Sequence, residues 1–369
     1  MSIPKICRAV VLPDYNQPYE IQDIAIPEIK GDEILVKVHL AGICGTDLHQ
    51  KDGSIALPFK PPFIPGHETI GHIVALGPDR KHDVAGAPLQ EGDRIMWAHR
   101  FCGECYYCAV MRMPFMCNRN IGYGFSHPKE LMGGFAEYVR VMNRTEVVKV
   151  PDNLTDEEAI GVGCAMRSVM SGFVKLQATK PLLLGDTVVV QGSGPIGMYA
   201  LLCAVCSGAG KVIVVGGPQG RLDMAKKWGA AETIDIFTVT DHAERVKLVM
   251  EMTGGRGAEL AIECSGFPPA FEQGFSFLDR GSTYLVLGQT TPKKIEFAPF
   301  NILGKNVTVI GSGSADIVHF YRALKFLSAI RDKYPVGLMV TAKYKLEQAD
   351  EAVDSMIEGK DMKAVFDLR

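Results

Sequence analysis

The chain has 369 residues, a length that suits about two domains. Its hydrophobic share of 47% and charged share of 22% exclude a disordered chain and match a globular enzyme. A net charge of −3, with acids and bases interspersed, argues against nucleic acid or an anionic membrane surface as the main partner.

At the N-terminus, Pro4, Lys5 and Arg8 interrupt the apolar core that a secretion signal needs. No apolar run approaches the roughly 18–20 residues of a membrane span. The expected compartment is therefore the cytoplasm. Thiols stay reduced there, so clustered cysteines are expected to bind metal rather than form disulfides.

Up to about residue 160 the chain reads as short strands and turns. Ile34, Val36 and Val38 alternate in EILVKVHLAGICG, and GHIVALG and GDRIMWAH are further β segments punctuated by glycine. From about residue 185 the texture changes. TVVVQG, KVIVVGG, ETIDI, ELAIECSG, STYLVLGQ and NVTVIGSG predict six strands. Helical stretches such as PIGMYALLCAVCSGAG and HAERVKLVMEMTGG lie between most of them. This alternation predicts a doubly wound parallel sheet of the dinucleotide-binding kind. After Gly313 come an amphipathic helix (DIVHFYRALKFLSAIRD), a short strand, a second helix (LEQADEAVDSMIEG) and a final strand, KAVFDL. These are expected to rejoin the first domain, which makes the parallel-sheet domain an insertion.

The glycine fingerprint Gly192-x-Gly194-x-x-Gly197 follows a predicted strand and opens a predicted helix, through Pro195 and Ile196. Gly192 suits a tight turn, Gly194 a close approach to a pyrophosphate, and Gly197 close helix–strand contact. The free N–H groups of the helix start would face the phosphates. A carboxylate is expected at the end of the next strand, to hold the ribose 2′-hydroxyl. Gly216, Gly217 and Pro218 stand there instead, with Arg221 just beyond. NAD and NADP therefore both remain open, with NAD favoured because Arg221 is the one well-placed base. Leu287 and Gly288 end a later strand, at the edge where such sheets hold ligands.

Cys102, Cys105, Cys108 and Cys117 supply four thiolates within a lobe of about residues 100–118. Four thiolates suit a tetrahedral structural zinc and leave no open position for a substrate. A metal-free reduced cluster and an iron–sulfur centre are the alternatives. Cys7, Cys203, Cys206 and Cys264 are expected to be small buried thiols. Cys44, His67 and Cys164 form a second candidate set, of the kind that holds a catalytic zinc with an open fourth position.

CGTDLH, PGHETIGHIVALG, the CxxCxxC run, GGFAEYVRV and GSGPIG, in this order, resemble the zinc-dependent medium-chain alcohol dehydrogenases, in particular their polyol and threonine dehydrogenase branch. The resemblance covers essentially the whole chain. It implies an α/β protein: a GroES-like, mostly-β catalytic domain over 1–160 and 312–369, with a Rossmann domain inserted over 161–311. It implies two zinc ions, the catalytic one on Cys44, His67 and Cys164, and the structural one on the four clustered cysteines. The gap before Cys117 is one residue longer than the family's pattern, and Pro114 lies within it. Glu68 matches a carboxylate able to approach the metal, and Asp47 an acid orienting His67. Thr46 matches the hydroxyl that meets the substrate oxygen, and His49 the outer end of a proton relay. Plain alternatives remain: Asp47 as the cap of a helix starting at Leu48, and His49 as a surface histidine.

The implied activity is reversible hydride transfer between a small-molecule alcohol, a secondary alcohol or polyol, and NAD(P). A homodimer or homotetramer is implied as well. Trp97, Ala98, His99, Arg167, Ser168 and Gln289 are candidates for lining the substrate pocket. The competing readings are a zinc-independent quinone or enoyl reductase of the same fold, and a non-catalytic NAD(P)H-binding zinc protein.

Overall fold

In the strand Ile34–Gly42 almost every side chain is buried, so both of its faces are covered, and neighbours pair along both of its edges. Glu68–Leu76 and Tyr138–Val141 pair with it antiparallel, and the C-terminal strand Lys363–Asp367 pairs with its last residues. The computed structural model describes residues 3–55, 60–289 and 293–369. The chain divides into two units, residues 1–167 with 315–369, and residues 168–314.

The first unit is built on a seven-stranded, mostly antiparallel sheet. Its order runs Val340–Tyr344, Lys363–Asp367, Ile34–Gly42, Glu68–Leu76, Arg94–Trp97 and Val147–Lys149, with Tyr138–Val141 beside Ile34–Gly42. A two-stranded ribbon, Ile6–Val11 with Glu20–Ala25, accompanies it. The core gathers Val36, Val38, Ile64, Phe135, Ala136 and Phe366, all buried. Residues 161–167 were expected in the nucleotide-binding segment. The structure groups them with the first unit, because the short helical turn Ile160–Gly163 lies against the strands Glu68–Leu76 and Ile34–Gly42.

The second unit holds six parallel strands in the order Glu232–Asp235, Lys211–Gly216, Thr187–Gln191, Ala258–Glu263, Leu278–Val286 and Thr308–Gly311. Numbered along the chain this is 3-2-1-4-5-6, the order of the dinucleotide-binding fold. Its central strands are apolar on both faces, Val188 to Val190 and Val212 to Val215 being buried, as a sheet covered by helices requires. The helices Pro195–Cys206, Gln219–Lys227 and His242–Met252 form where helical periodicity was read. The helix Ala165–Thr179 was not foreseen, and neither were the short helices Asp156–Ala159 and Phe300–Leu303. Met166, Val169, Phe173 and Leu176 recur along the first of these at helical spacing and are buried, so the signal was present. Among the described residues no single helix is long and apolar enough to cross a membrane.

Candidate active site

Cys44 ends the run from Ile34–Gly42 and is the N-cap of the helix Gly45–Lys51. Its thiol accepts from Thr46 N–H at 3.3 Å, and its own N–H donates to Asp47 Oδ2 at 2.9 Å. Asp47 therefore belongs to a capping box in a helix that starts at Gly45, not to the cap of one starting at Leu48. Its other oxygen lies 3.6 Å from His67 Nδ1, with both side chains almost fully buried. Neither of those two atoms has a hydrogen-bond partner at normal distance. Small movements would close the contact and set the ring tautomer that leaves Nε2 free to bind a metal.

His67 precedes the strand Glu68–Leu76, and its Nε2 lies 3.2 Å from Cys44 Sγ. Cys164 follows the turn Ile160–Gly163. The ligand atoms of Cys44, His67, Glu68 and Cys164 all lie within 4.8 Å of one another. A hydrogen bond from Cys164, with His67 and Lys363 nearby, holds the Cys44 thiol well below its usual range despite burial. Burial opposes charge on His67, but the Cys44 thiolate and Asp47 outweigh it and hold the imidazole well above its usual value. A buried pocket that keeps a thiolate beside a carboxylate suits a cation, which would displace the His67 proton.

Glu68 was foreseen and its partner was not. Lys363 Nζ donates to Glu68 Oε2 at 2.7 Å and to the carbonyl of Ile43 at 3.1 Å. Gly42 lies opposite Glu68 on one side and Val365 on the other. A Cβ at Gly42 would sit 2.8 Å from Glu68 Oε2, so only glycine leaves room for the pair. Burial pushes the Glu68 carboxyl up to about 7, with Lys363 pulling the other way.

Thr46 and His49 share the short helix one turn apart, and His49 Nδ1 is 2.9 Å from Ser54 Oγ. His99 Nδ1 accepts from Tyr123 N–H at 3.1 Å. Burial, then Arg167 and His67, hold its ring neutral. Trp97 was expected at the pocket, and it is 7% exposed. It lies edge-on to Tyr123 in the core of the first unit, and Ala98 is buried too.

In the cysteine lobe, Cys105 Sγ lies 3.5 Å from Cys108 Sγ and 3.9 Å from Cys117 Sγ, and Cys102 Sγ is 4.0 Å from Cys108 Sγ. Sulfurs held at about 2.3 Å by one tetrahedral ion stand about 3.8 Å apart, so these distances suit a single zinc. A short turn, Pro114–Met116, lies in the long gap before Cys117. Backbone N–H groups, that of Glu104 first, draw the Cys102 thiol down to about 6. All ten cysteines are free. Cys7, Cys203 and Cys264 are buried as expected, whereas Cys206 is exposed at the end of its helix.

In the second unit Gly194 caps the helix that Pro195 and Ile196 open. A Cβ at Gly197 would come within 1.9 Å of the Gly192 carbonyl, so the helix can approach the turn only with glycine there. At Gly216 a Cβ would meet Ser193 Oγ at 2.6 Å. Ser193 Oγ is itself tied to Gly217, accepting from its N–H at 2.9 Å and donating to its carbonyl at 2.8 Å. A carboxylate residue therefore cannot stand at 216 without rebuilding the fingerprint turn. Arg221 lies in the first turn of Gln219–Lys227, while Lys226 is spent on Glu232 at 3.1 Å. Sequence patterns also missed Asp235, whose Oδ1 would lie 3.1 Å from a Cβ on Gly217. Leu287 and Gly288 are held by the buried Glu263, whose carbonyl accepts both N–H groups at 2.9 and 3.0 Å.

Two family descriptions match the chain, "Alcohol dehydrogenase GroES-like domain" over residues 30–152 and "Zinc-binding dehydrogenase" over 195–329. A 5-exo-hydroxycamphor dehydrogenase of Pseudomonas putida is 33% identical over 368 residues, 98% of each chain. The chain belongs to the zinc-dependent medium-chain alcohol dehydrogenases. It is accordingly an oxidoreductase acting on CH–OH donors. An alcohol dehydrogenase of Thermotoga maritima shares its fold with a TM-score of 0.89 at 30% identity, covering 98% of this chain and 99% of that one. A zinc-binding dehydrogenase of Sinorhizobium meliloti, bound to NADP, matches with a TM-score of 0.83 at 26% identity, over 98% and 99% of the two chains.

Proposed function

We propose that this dehydrogenase oxidises a secondary alcohol or polyol reversibly, with a catalytic zinc on Cys44, His67 and Cys164 and with NAD favoured over NADP. The observation that carries the reading is the convergence of two thiols and an imidazole, ligand atoms within 4.8 Å, in a pocket that holds the Cys44 thiol well below its usual range. Three such ligands leave one position open for substrate. When bound, zinc acidifies the alcohol as a Lewis acid and the nicotinamide accepts the hydride.

The chain's own residues would do the rest. Thr46 can take the hydroxyl proton and give up its own, since a hydroxyl both donates and accepts. His49, fixed by Ser54 at 2.9 Å, has an imidazole that both accepts and donates and can carry the proton outward. Asp47 would orient His67, and Glu68 would offer a carboxylate oxygen within 4.8 Å of the three ligand atoms. The four lobe cysteines would hold a second, structural zinc.

Coenzyme preference rests on the turn after Lys211–Gly216. No carboxylate can occupy Gly216, but Asp235 brings a negative charge beside Gly217, which disfavours a 2′-phosphate. Secondary alcohols are supported by the Pseudomonas putida relative, whose substrate carries its hydroxyl on a ring carbon. A cytoplasmic homodimer or homotetramer completes the proposal.

The test is an alcohol panel run with NAD and with NADP, followed at the absorbance of reduced nicotinamide, with metal analysis of the same sample. Turnover of secondary alcohols, faster with NAD, and about two zincs per chain are expected. Oxidation that survives chelation or Cys44→Ser would sink the zinc mechanism.

A further inference from the structure

Three cations among the described residues are buried almost completely: Lys363, Arg245 and Arg167. Lys363 has the Glu68 carboxylate, and Arg245 donates to the carbonyls of Val239 and Thr240. Arg167 has neither kind of partner. It is only 5% exposed, yet among the described residues no carboxylate stands at ion-pair distance and no hydrogen bond reaches it. Its Nε is fully enclosed without an acceptor. The one compensation is the face of Phe320, 4.9 Å from the guanidinium carbon. A single aromatic face offsets only part of the cost of burying an ion, and buried charges are normally paired. An acceptor is missing.

Where Arg167 lies indicates what the acceptor is. It stands three residues beyond Cys164, in the first turn of Ala165–Thr179. Its charge and that of His67 both lower the His99 imidazole, after burial, and the rings of His99 and His67 each lie 6.0 Å from that of Phe125. His99 adds a second donor. Its Nδ1 accepts from Tyr123 N–H at 3.1 Å, which leaves the proton of a neutral ring on Nε2. A fork of guanidinium donors, only 5% exposed, with an imidazole N–H on His99, is chemistry for a planar or tetrahedral oxyanion.

We propose that Arg167 is the anion-recognising residue of the substrate site, and that the alcohol this enzyme oxidises carries an oxyanion, a carboxylate or a phosphate, close to its CH–OH carbon. The inference rests on the dehydrogenase reading above and names the substrate class of that same site.

The test is calorimetric titration of the zinc-loaded protein, saturated with reduced coenzyme so that binding is read without turnover. Three probes separate the sources: 3-hydroxybutyrate for a carboxylate, glycerol 1-phosphate for a phosphate, and 1,3-butanediol as the neutral control. One of the two anions is expected to bind at least about tenfold more tightly than the diol. Arg167→Gln should weaken that anion by about 10- to 100-fold, the worth of charged hydrogen bonds, and leave the diol unchanged. Arg167→Lys should recover part of the loss.

Thermal melting guards against a merely structural role. Removing an unpaired buried charge should leave Tm unchanged or raise it, whereas a structural guanidinium would lower it. The inference is overturned if neither anion outbinds the diol, if Arg167→Gln leaves anion binding intact, if the variant melts lower, or if it weakens the coenzyme instead. Anion binding without turnover of any alcohol would leave Arg167 as an anion site and remove the dehydrogenase reading. Turnover of neutral alcohols without anion discrimination would do the reverse.

Discussion

Replacing Lys363 with methionine would leave the Glu68 carboxylate buried without its cation. The two atoms are 2.7 Å apart, and their side chains are only 4% and 1% exposed. Breaking a buried pair from one side costs about 3–5 kcal/mol, because the remaining charge has no water to return to. For a unit of this size that corresponds to a fall in melting temperature of about 6–20 °C. Glu68 can escape part of the cost by taking a proton. Its carboxyl already sits at about 7, above the unfolded value, because burial raises it more than Lys363 lowers it. A group with a raised folded pKa contributes stability below its unfolded pKa and loses it as pH rises through the folded one. Without Lys363 the folded pKa rises further, so the deficit of Lys363→Met should be small near pH 5 and full near pH 9. The double change Glu68→Gln with Lys363→Met removes both charges and should return to within about 1 kcal/mol of the parent. Urea unfolding followed by circular dichroism, on chelated and on zinc-loaded protein, measures all three. A single variant that costs under about 1 kcal/mol at pH 9, or a double variant no better than the single, would refute the reasoning.

Cys117→Ser should remove one zinc per chain and leave the other, and Cys44→Ser should do the same from the other site, as read by metal analysis of each variant. Gly197→Ala places a methyl 1.9 Å from the Gly192 carbonyl; coenzyme affinity in a fluorescence titration should fall by about tenfold or more, with about 1–3 kcal/mol lost from overpacking. Asp156 is pushed up by burial, but hydrogen bonds from His39 and Arg94 more than offset this and hold its carboxyl below the usual value. A depressed acid stabilises the fold above its unfolded pKa and loses that stability as pH falls through the folded one. Asp156→Asn should therefore cost about 2–3 kcal/mol at pH 7, and the gap should close below about pH 3 in denaturation curves taken across pH.

What could be read from the residues is what depends on neighbours in the chain. The parallel-sheet unit was legible because its strands are apolar on both faces and its helices repeat at 3.6 residues. The fingerprint Gly192, Gly194 and Gly197 was legible because a strand–turn–helix constrains residues only five apart. The lobe cysteines were legible as one cluster because residues close in chain carry their spacing with them. Helix Ala165–Thr179 was equally local and was missed, although Met166, Val169, Phe173 and Leu176 recur in it at helical spacing. Cys203 and Cys206 looked alike in sequence; only the end of a helix set one at the surface and the other inside.

Tertiary structure decided the rest. Lys363 stands 295 residues from Glu68 and meets it only because the final strand pairs beside Ile34–Gly42, with Gly42 between them. Asp235 reaches the turn after Lys211–Gly216 because Glu232–Asp235 pairs with that strand. Trp97 turned to the core and Arg167 was left without an acid through three-dimensional packing alone. Residue type and spacing determine which chemistry a chain can carry, because bonding preferences are local. Which charges are paired, and which is left waiting for a ligand, follows from strand register and burial, which join segments that no short-range pattern connects.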